Sequence, residues 1–311
     1  MKNWSHSLRR SFVKDYSLPI SVVQDPYFEH QILALNRQYE TLCKVDMLGE
    51  ALARFGNEGD FLAYMKATRE SIIDSVKDHS KYQDFVTDED HAIHQTSLNR
   101  KVPDKCVYKH DNVGKQMVSV DLVSANFQTF RMTFPELVQN CDSYDEFVSN
   151  FTDLEYFKKS KKIRQIIFGN LSPKKQQTIT KKIMWAVWGH LTVHNANYDL
   201  SMISSDELIL RQSDHLIPMP VQDMRKILEN CNVNGYEIKT RVQDFVIEPI
   251  KMKSSCAFVK RYPDGNFDLK CCQGSYTLEV LRHLWGQEVH PYDRVFYHDG
   301  RVCEFKDPLF E

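Results

Sequence analysis

Between residues 25 and 76 the apolar positions recur every three or four residues. Phe28, Ile32, Leu35, Tyr39 and Leu42 fall on one face of a predicted helix. Asp25-Pro26 supplies its start, with Asp as N-cap and Pro at the first helical position. A second helix is predicted over 58–76, with Phe61, Tyr64, Met65 and Ile72 inward. Residues 87–105 are polar and charged and hold one proline, which reads as a loop or linker. His91 and His94 lie in it, and two histidines without a third ligand nearby fit a surface loop better than a metal site.

From Lys115 the period shortens to two. Met117-Val118-Ser119-Val120-Asp121-Leu122 reads as a strand ending in a carboxylate. Residues 134–157 suggest short helices, 158–169 a basic amphipathic helix, and 176–193 a helix with Ile179, Ile183, Val187 and Leu191 inward. In 200–210 two apolar arms flank Ser204-Ser205-Asp206-Glu207, as in a hairpin with acids at its tip. A helix over 219–231 follows, then one or two strands over 239–250. A turn at Tyr262-Pro263-Asp264-Gly265-Asn266, a helix over 277–285 and a hairpin at His298-Asp299-Gly300 complete the chain.

Of the 311 residues, 42% are hydrophobic and 26% charged, which excludes a largely disordered chain, a collagen or a coiled-coil rod. No apolar run is long enough for a membrane span, and residues 1–6 open no secretory signal. Eight cysteines without framework spacing then suggest reduced thiols and an intracellular, cytoplasmic or nuclear, protein. The net charge of −2 implies no polyanion partner by itself, but the charge is uneven. Between 158 and 182 stand Lys158, Lys159, Lys161, Lys162, Arg164, Lys174, Lys175, Lys181 and Lys182, with no acid. A second acid-free stretch, 249–263, carries Lys251, Lys253, Lys260 and Arg261. Such patches can meet phosphates or simply be solvated helix faces.

The chemistry concentrates on Asp121, the basic helix and Asp206-Glu207. If the strand end and the hairpin tip are neighbours in one sheet, their carboxylates face one cleft. Paired carboxylates there can hold two Mg²⁺ or Mn²⁺ ions about 4 Å apart, and a basic helix beside them can neutralise a triphosphate. The plain alternatives are that Asp121 caps a turn and that Asp206-Glu207 are ordinary hairpin-tip residues. His190 and His194, one helical turn apart, lack a third ligand, and Cys271-Cys272 with His290 and Cys303 lack chelating spacing. Trp185 and Trp188 read as packing residues, and no Gly-rich phosphate loop is present.

These residues, in this order, resemble the palm of family B DNA polymerases. Asp121-Leu122-Val123-Ser124-Ala125-Asn126-Phe127-Gln128 is similar to that family's Asp-x-x-Ser-Leu-Tyr-Pro-Ser. Lys161 to Gly169 is similar to Lys-x-x-x-Asn-Ser-x-Tyr-Gly, with Gln165 for Asn and Phe168 for Tyr. Asp206-Glu207 stands where the family has a Thr-Asp hairpin and looks closer to the His-Asp-Glu of family A. Val259-Lys260-Arg261-Tyr262 is similar to the Lys-Lys-Arg-Tyr segment that enters the thumb.

The resemblance covers about half the chain, roughly 113–270. It implies an α/β (α+β) fold: an antiparallel palm sheet backed by helices, a helical N-terminal region (1–110), a palm with reduced fingers (111–270) and a small thumb-like segment (271–311). It implies a metal-dependent nucleotidyltransferase working on a primer-template and nucleoside triphosphates, with a replication or transcription protein as a further partner. Asp121 and Asp206 would be metal ligands, with Glu207 completing the catalytic acids. Ser124, Asn126, Phe127, Lys161, Arg164, Gln165 and Phe168 would line the nucleotide site. Lys260, Arg261 and Tyr262 would hold nucleic acid. Asn126 stands where the family has the Tyr that packs against the sugar, which opens the choice between deoxy and ribo substrates, with Phe127 as a displaced gate. The alternatives are an RNA-making primase or terminal transferase, and a catalytically inactive palm serving as a nucleic-acid-binding or assembly scaffold.

Overall fold

The computed structural model describes residues 4–88, 106–194, 197–213, 217–253 and 255–310. His91 and His94 lie outside the described residues. Five helices open the chain: α1 (His6–Asp15), α2 (Tyr27–Tyr39), α3 (Thr41–Ala53), α4 (Glu58–Lys77) and α5 (Tyr82–Thr87). The start of α2 differs from the expected cap. Pro26 occupies the position before the helix, and the Asp25 carboxylate pairs with Arg9 at 2.7 Å instead. The end differs too. Glu40 turns left-handed at φ 49°, so the helix stops at Tyr39 and Leu42 belongs to α3, where it is exposed.

The rest of the fold is built on six strands: β1 (Gln116–Leu122), β2 (Tyr198–Ile203), β3 (Glu207–Gln212), β6 (Thr240–Lys251), β7 (Cys256–Arg261) and β8 (Phe267–Lys270), with a two-residue hairpin β4 (Asn232–Val233) and β5 (Tyr236–Glu237) before β6. Their order is β2-β3-β1-β6-β7-β8, and each neighbouring pair is antiparallel. Between β1 and β2 run α6 (Ala125–Thr133), α7 (Tyr144–Ser149), α8 (Glu155–Lys159), α9 (Lys161–Gly169) and α10 (Pro173–Val193); α11 (Val221–Glu229) follows β3. The strands β1, β2, β3 and β6 therefore follow a split β-α-β-β-α-β path, in which each crossover pair brackets a strand of the other. The chain closes with α12 (Thr277–Leu284) and the hairpin β9 (Val295–His298) and β10 (Arg301–Glu304).

The basic helix expected over 158–169 is two helices. Ser160 separates them, because its hydroxyl accepts from the Ile163 N–H and so caps α9. Likewise the helix expected over 219–231 narrows to α11, as Pro220 precedes it and Asn232 enters β4.

Alternation along β1 divides the sheet. Val118, Val120 and Leu122 join Leu208, Leu210 and Val242 against the helices, in a core that also takes Phe12, Phe28 and Phe61 from the N-terminal helices. Each fully buried aliphatic or aromatic side chain there contributes about 1.5–3 kcal/mol. On the other face Met117, Ile209, Phe245, Ile247 and Phe258 pack under Val107. Ser119 and Asp121 share that second face by the period of two. Along β1 the apolar cover of this face thus ends at Met117, four residues before the carboxylate, with Ser119 between. No helix among the described residues is long and apolar enough to cross a membrane.

Candidate active site at the end of the central strand

The C-terminal end of β1 is fastened on both sides. The Leu122 N–H donates to the Asp206 carbonyl at 2.8 Å, and the Val123 N–H to the Lys239 carbonyl at 3.0 Å. Asp121 is directly opposite Glu207 on β3 and Arg241 on β6. Asp206 sits in the three-residue tip joining β2 to β3. Its Oδ1 accepts from the Ser204 and Ser205 hydroxyls, each at 3.2 Å.

The turn after β1 is strained. Ser124 is left-handed at φ 53° and precedes α6, so a residue with a Cβ is held in a conformation that costs about 1–2 kcal/mol. Gln128, one turn into α6, compensates. Its amide donates to the Val123 and Lys239 carbonyls and accepts from the Lys239 N–H. Arg164 reaches in from α9 and donates Nη1 to the Ser124 hydroxyl at 3.3 Å, while its guanidinium lies 5.3 Å from the Tyr144 ring.

These elements enclose a cleft of about 410 Å³. Asp121, Asp206, Ser124, Asn126, Lys161, Arg164 and Gln165 all line it, together with Arg241. A larger cleft of about 550 Å³ lies alongside and shares Val123 and Arg241, but the paired acids are in the smaller one. Burial, then the neighbouring Glu207 and Asp206 carboxylates, push the Asp121 carboxyl up to about 6, against the opposing pull of Arg241 and Lys260. The side chain of Asp121 has no hydrogen bond among the described residues.

Glu207 is engaged differently. Its Oε1 accepts from the Ser119 hydroxyl at 2.5 Å and pairs with Lys260 Nζ at 3.3 Å. Lys260 is 4% exposed and lies 4.5 Å from the Phe245 ring centre and 5.6 Å from that of Tyr262. Burial lowers its pKa and Glu207 opposes that, with a net downward shift. Tyr262 in turn donates to Asp268 at 2.8 Å. Lys260 and Tyr262 thus join the acidic end of the sheet, whereas Arg261 pairs with Glu248 at 2.8 Å and lies over Phe267. Alternation along β7 turns Arg261 away from its two neighbours.

Two expected site residues are in the core. Phe127 is 1% exposed and packs towards Phe147, so it gates nothing in the cleft. Phe168 is equally buried, beside Phe130 and Tyr144. Phe127 is turned about 100° from Asn126 on α6, whereas Phe168 lies nearly in line with Lys161 on α9 but two turns further along, where Phe130 and Tyr144 cover it. Arg241 and Gln128 were not singled out from the sequence. Gln128 stands seven residues after Asp121 and Arg241 opens a strand, but only the pairing of β1 with β6 brings Arg241 opposite Asp121.

The donor set around Asp121 and Asp206 is carboxylate, hydroxyl and amide oxygen, which suits a hard cation such as Mg²⁺ or Mn²⁺. Among the described residues no three His, Cys, Asp or Glu side chains are grouped to hold a metal by themselves. Such a cation takes its other ligands from water and substrate phosphate. His190 bonds the Ile227 carbonyl, His194 the His190 carbonyl, and Trp188 is buried in the core. Comparison of the chain with protein-family models, with curated proteins and with solved structures gives no match.

Proposed function

We propose that the chain is a metal-dependent nucleotidyltransferase that extends a nucleic-acid 3′ end, with a palm like that of template-dependent DNA polymerases. One observation carries the reading: strand pairing sets Asp121 beside the Asp206 hairpin, across a single cleft from Lys161 and Arg164. Two acids on a rigid sheet and two cations on a facing helix suit a nucleoside triphosphate approaching with its phosphates towards α9.

In this mechanism Lys161, Arg164 and Arg241 bind and orient the triphosphate, and Ser124, held by Arg164, donates its hydroxyl to a phosphate oxygen. Asp121 and Asp206 would hold Mg²⁺ or Mn²⁺, which when bound lowers the charge on the phosphates and favours ionisation of the attacking hydroxyl. The primer 3′-oxygen forms a bond to the α-phosphorus, the bond from that phosphorus to the bridging oxygen breaks, and pyrophosphate leaves with the electron pair. The proton of the 3′-hydroxyl goes to water. Asn126 faces the cleft while Phe127 is withdrawn into the core, which favours the RNA-making variant of this reading, since no aromatic ring lines the cleft among the described residues.

Extension of a labelled primer-template with Mg²⁺ or Mn²⁺, with dNTPs and NTPs in parallel, tests it. Extension by the wild type that is lost in Asp121→Ala supports the reading, and the preferred sugar shows which variant applies. Absence of extension on every template, with nucleic acid still bound, replaces it by a scaffold palm.

A further inference from the structure

A second cleft, of about 290 Å³, lies between α2 and α12 and shares no lining residue with the acidic one. Its wall carries Arg37 and Arg282, the indole of Trp285, the imidazole of His30 and the exposed side chain of Leu33. No carboxylate lines it among the described residues. The guanidinium of Arg37 stands 5.2 Å from the Trp285 ring centre and has no acidic partner among the described residues. Arg282 is fixed rather than free. Its Nε donates to the buried Asp293 at 3.1 Å and its Nη1 to Gln287 at 2.7 Å. His30 is held by the same carboxylate at 2.7 Å. Beyond His30 the row of rings continues through Tyr292, 5.5 Å away, to Tyr27, another 5.0 Å on.

This is a strip of planar rings interleaved with cations along α2 and just past the end of α12, with His30 and Arg282 locked from below by the buried Asp293. Such a surface stacks successive bases and holds the phosphates between them, because every base has a π-face and guanidinium planes stack on bases as rings do. We infer that the α2–α12 strip is a binding site for single-stranded nucleic acid, with Trp285 and Arg37 as its stacking platform and Arg282 as a phosphate contact. The inference shares with the proposed transferase only its nucleic-acid partner; neither the acids nor a metal enters it. The strip is also fixed relative to the sheet. Gln38 of α2 donates to the Phe267 carbonyl on the edge strand β8, three strands from β1, a width of about 14 Å at 4.7–4.9 Å per strand. A strand bound on the strip is thereby held beside the sheet that carries Asp121.

The test is fluorescence anisotropy of labelled oligo-dT and oligo-U of about twelve nucleotides with the full chain. Trp285→Ala and Arg37→Ala are each expected to weaken binding about 5- to 150-fold, the range for loss of one stacked base. Trp285→Phe, which keeps a ring, should stay within about 3-fold of the wild type. Arg37 is exposed, so its variant carries the test if Trp285→Ala fails to fold by circular dichroism. Equal binding of both oligonucleotides by wild type, Arg37→Ala and Trp285→Ala overturns the inference. So does a wild type that binds poly-glutamate as tightly as oligo-dT, which would make the strip a site for acidic protein. Binding that needs Trp285 and Arg37 in a protein that extends no primer upholds the strip and removes the transferase. Primer extension with oligonucleotide binding indifferent to both residues does the reverse.

Discussion

Replacing Asp121 by Asn should make the metal-free protein more stable at neutral pH, even though the residue is placed at the centre of the cleft. The native carboxyl keeps its proton up to about 6, because burial and the Glu207 and Asp206 carboxylates disfavour its charge. In the unfolded chain the same group titrates near about 3.9. Between those values folding takes up a proton, so stability falls as pH rises from about 4 to about 6 and stays lower above. A gap of about two pH units corresponds to at most about 2.7 kcal/mol, and the partial opening of the side chain to water brings this to roughly 1–2 kcal/mol. Asn has nearly the same shape and no charge, and Asp121 forfeits no side-chain hydrogen bond within the described residues. Urea unfolding in EDTA at pH 7.5 should therefore give the variant a higher midpoint at unchanged slope, and the two proteins should converge at pH 4. A variant no more stable at pH 7.5, or an advantage equally large at pH 4, would refute the reasoning. Adding Mg²⁺ should stabilise the wild type more than the variant, since a ligand that binds only the native state stabilises by mass action.

Three other changes have definite expected outcomes. Gln128→Ala leaves the Val123 and Lys239 carbonyls without their amide donor and should cost about 2–3 kcal/mol in thermal or urea unfolding, with the β1–α6 turn exchanging amide protons faster. Lys260→Met strands Glu207 beside two other carboxylates and should cost about 2–4 kcal/mol. Lys260→Met with Glu207→Leu should recover most of that loss, and a double variant no better than the single one would exclude the pairing. Asp293 is buried, which by itself would raise its pKa, but hydrogen bonds from His30 and the His290 N–H and the charge of Arg282 bring it below the usual carboxylate range. Its contribution to stability is therefore present above the unfolded value near about 3.9 and is lost as pH falls through the native one. Asp293→Asn should be less stable than wild type at pH 7, with the difference shrinking in acid; a constant difference across pH would show that the lost contacts are uncharged in effect.

Elements with one strong period were legible. The run Met117–Leu122 alternates, the hairpin arms flank a polar tip, and residues 58–76 keep one apolar face; β1, the β2–β3 hairpin and α4 follow. The boundaries that differ depended on single residues, one through a side-chain bond and one through its backbone conformation. Ser160 splits a basic helix by taking one N–H, and Glu40 ends α2 by turning left-handed. Nothing in the period of either segment marks those events, because the apolar stripe continues on both sides of the break.

The residues of the cleft were legible in kind and less so in direction. Asp121, Asp206, Ser124, Asn126, Lys161, Arg164 and Gln165 line one cleft, as their motifs suggested. Phe127 and Phe168 stand within the same motifs yet are core residues: one residue from Asn126 is a rotation of about 100°, and Phe168, on the same face as Lys161, is two turns further along α9 and covered by Phe130 and Tyr144. What the sequence alone determined was which segments carry charge, which bury apolar faces, and where a strand ends in an acid. Only the tertiary structure decided that β6 sets Arg241 opposite Asp121, that Lys260 folds inward to meet Glu207, and that α2 and α12 bring Arg37 against Trp285. Those meetings join positions from 53 to well over a hundred residues apart. Local period and propensity fix the face of each element, whereas register between distant elements is set by how all the buried faces pack at once.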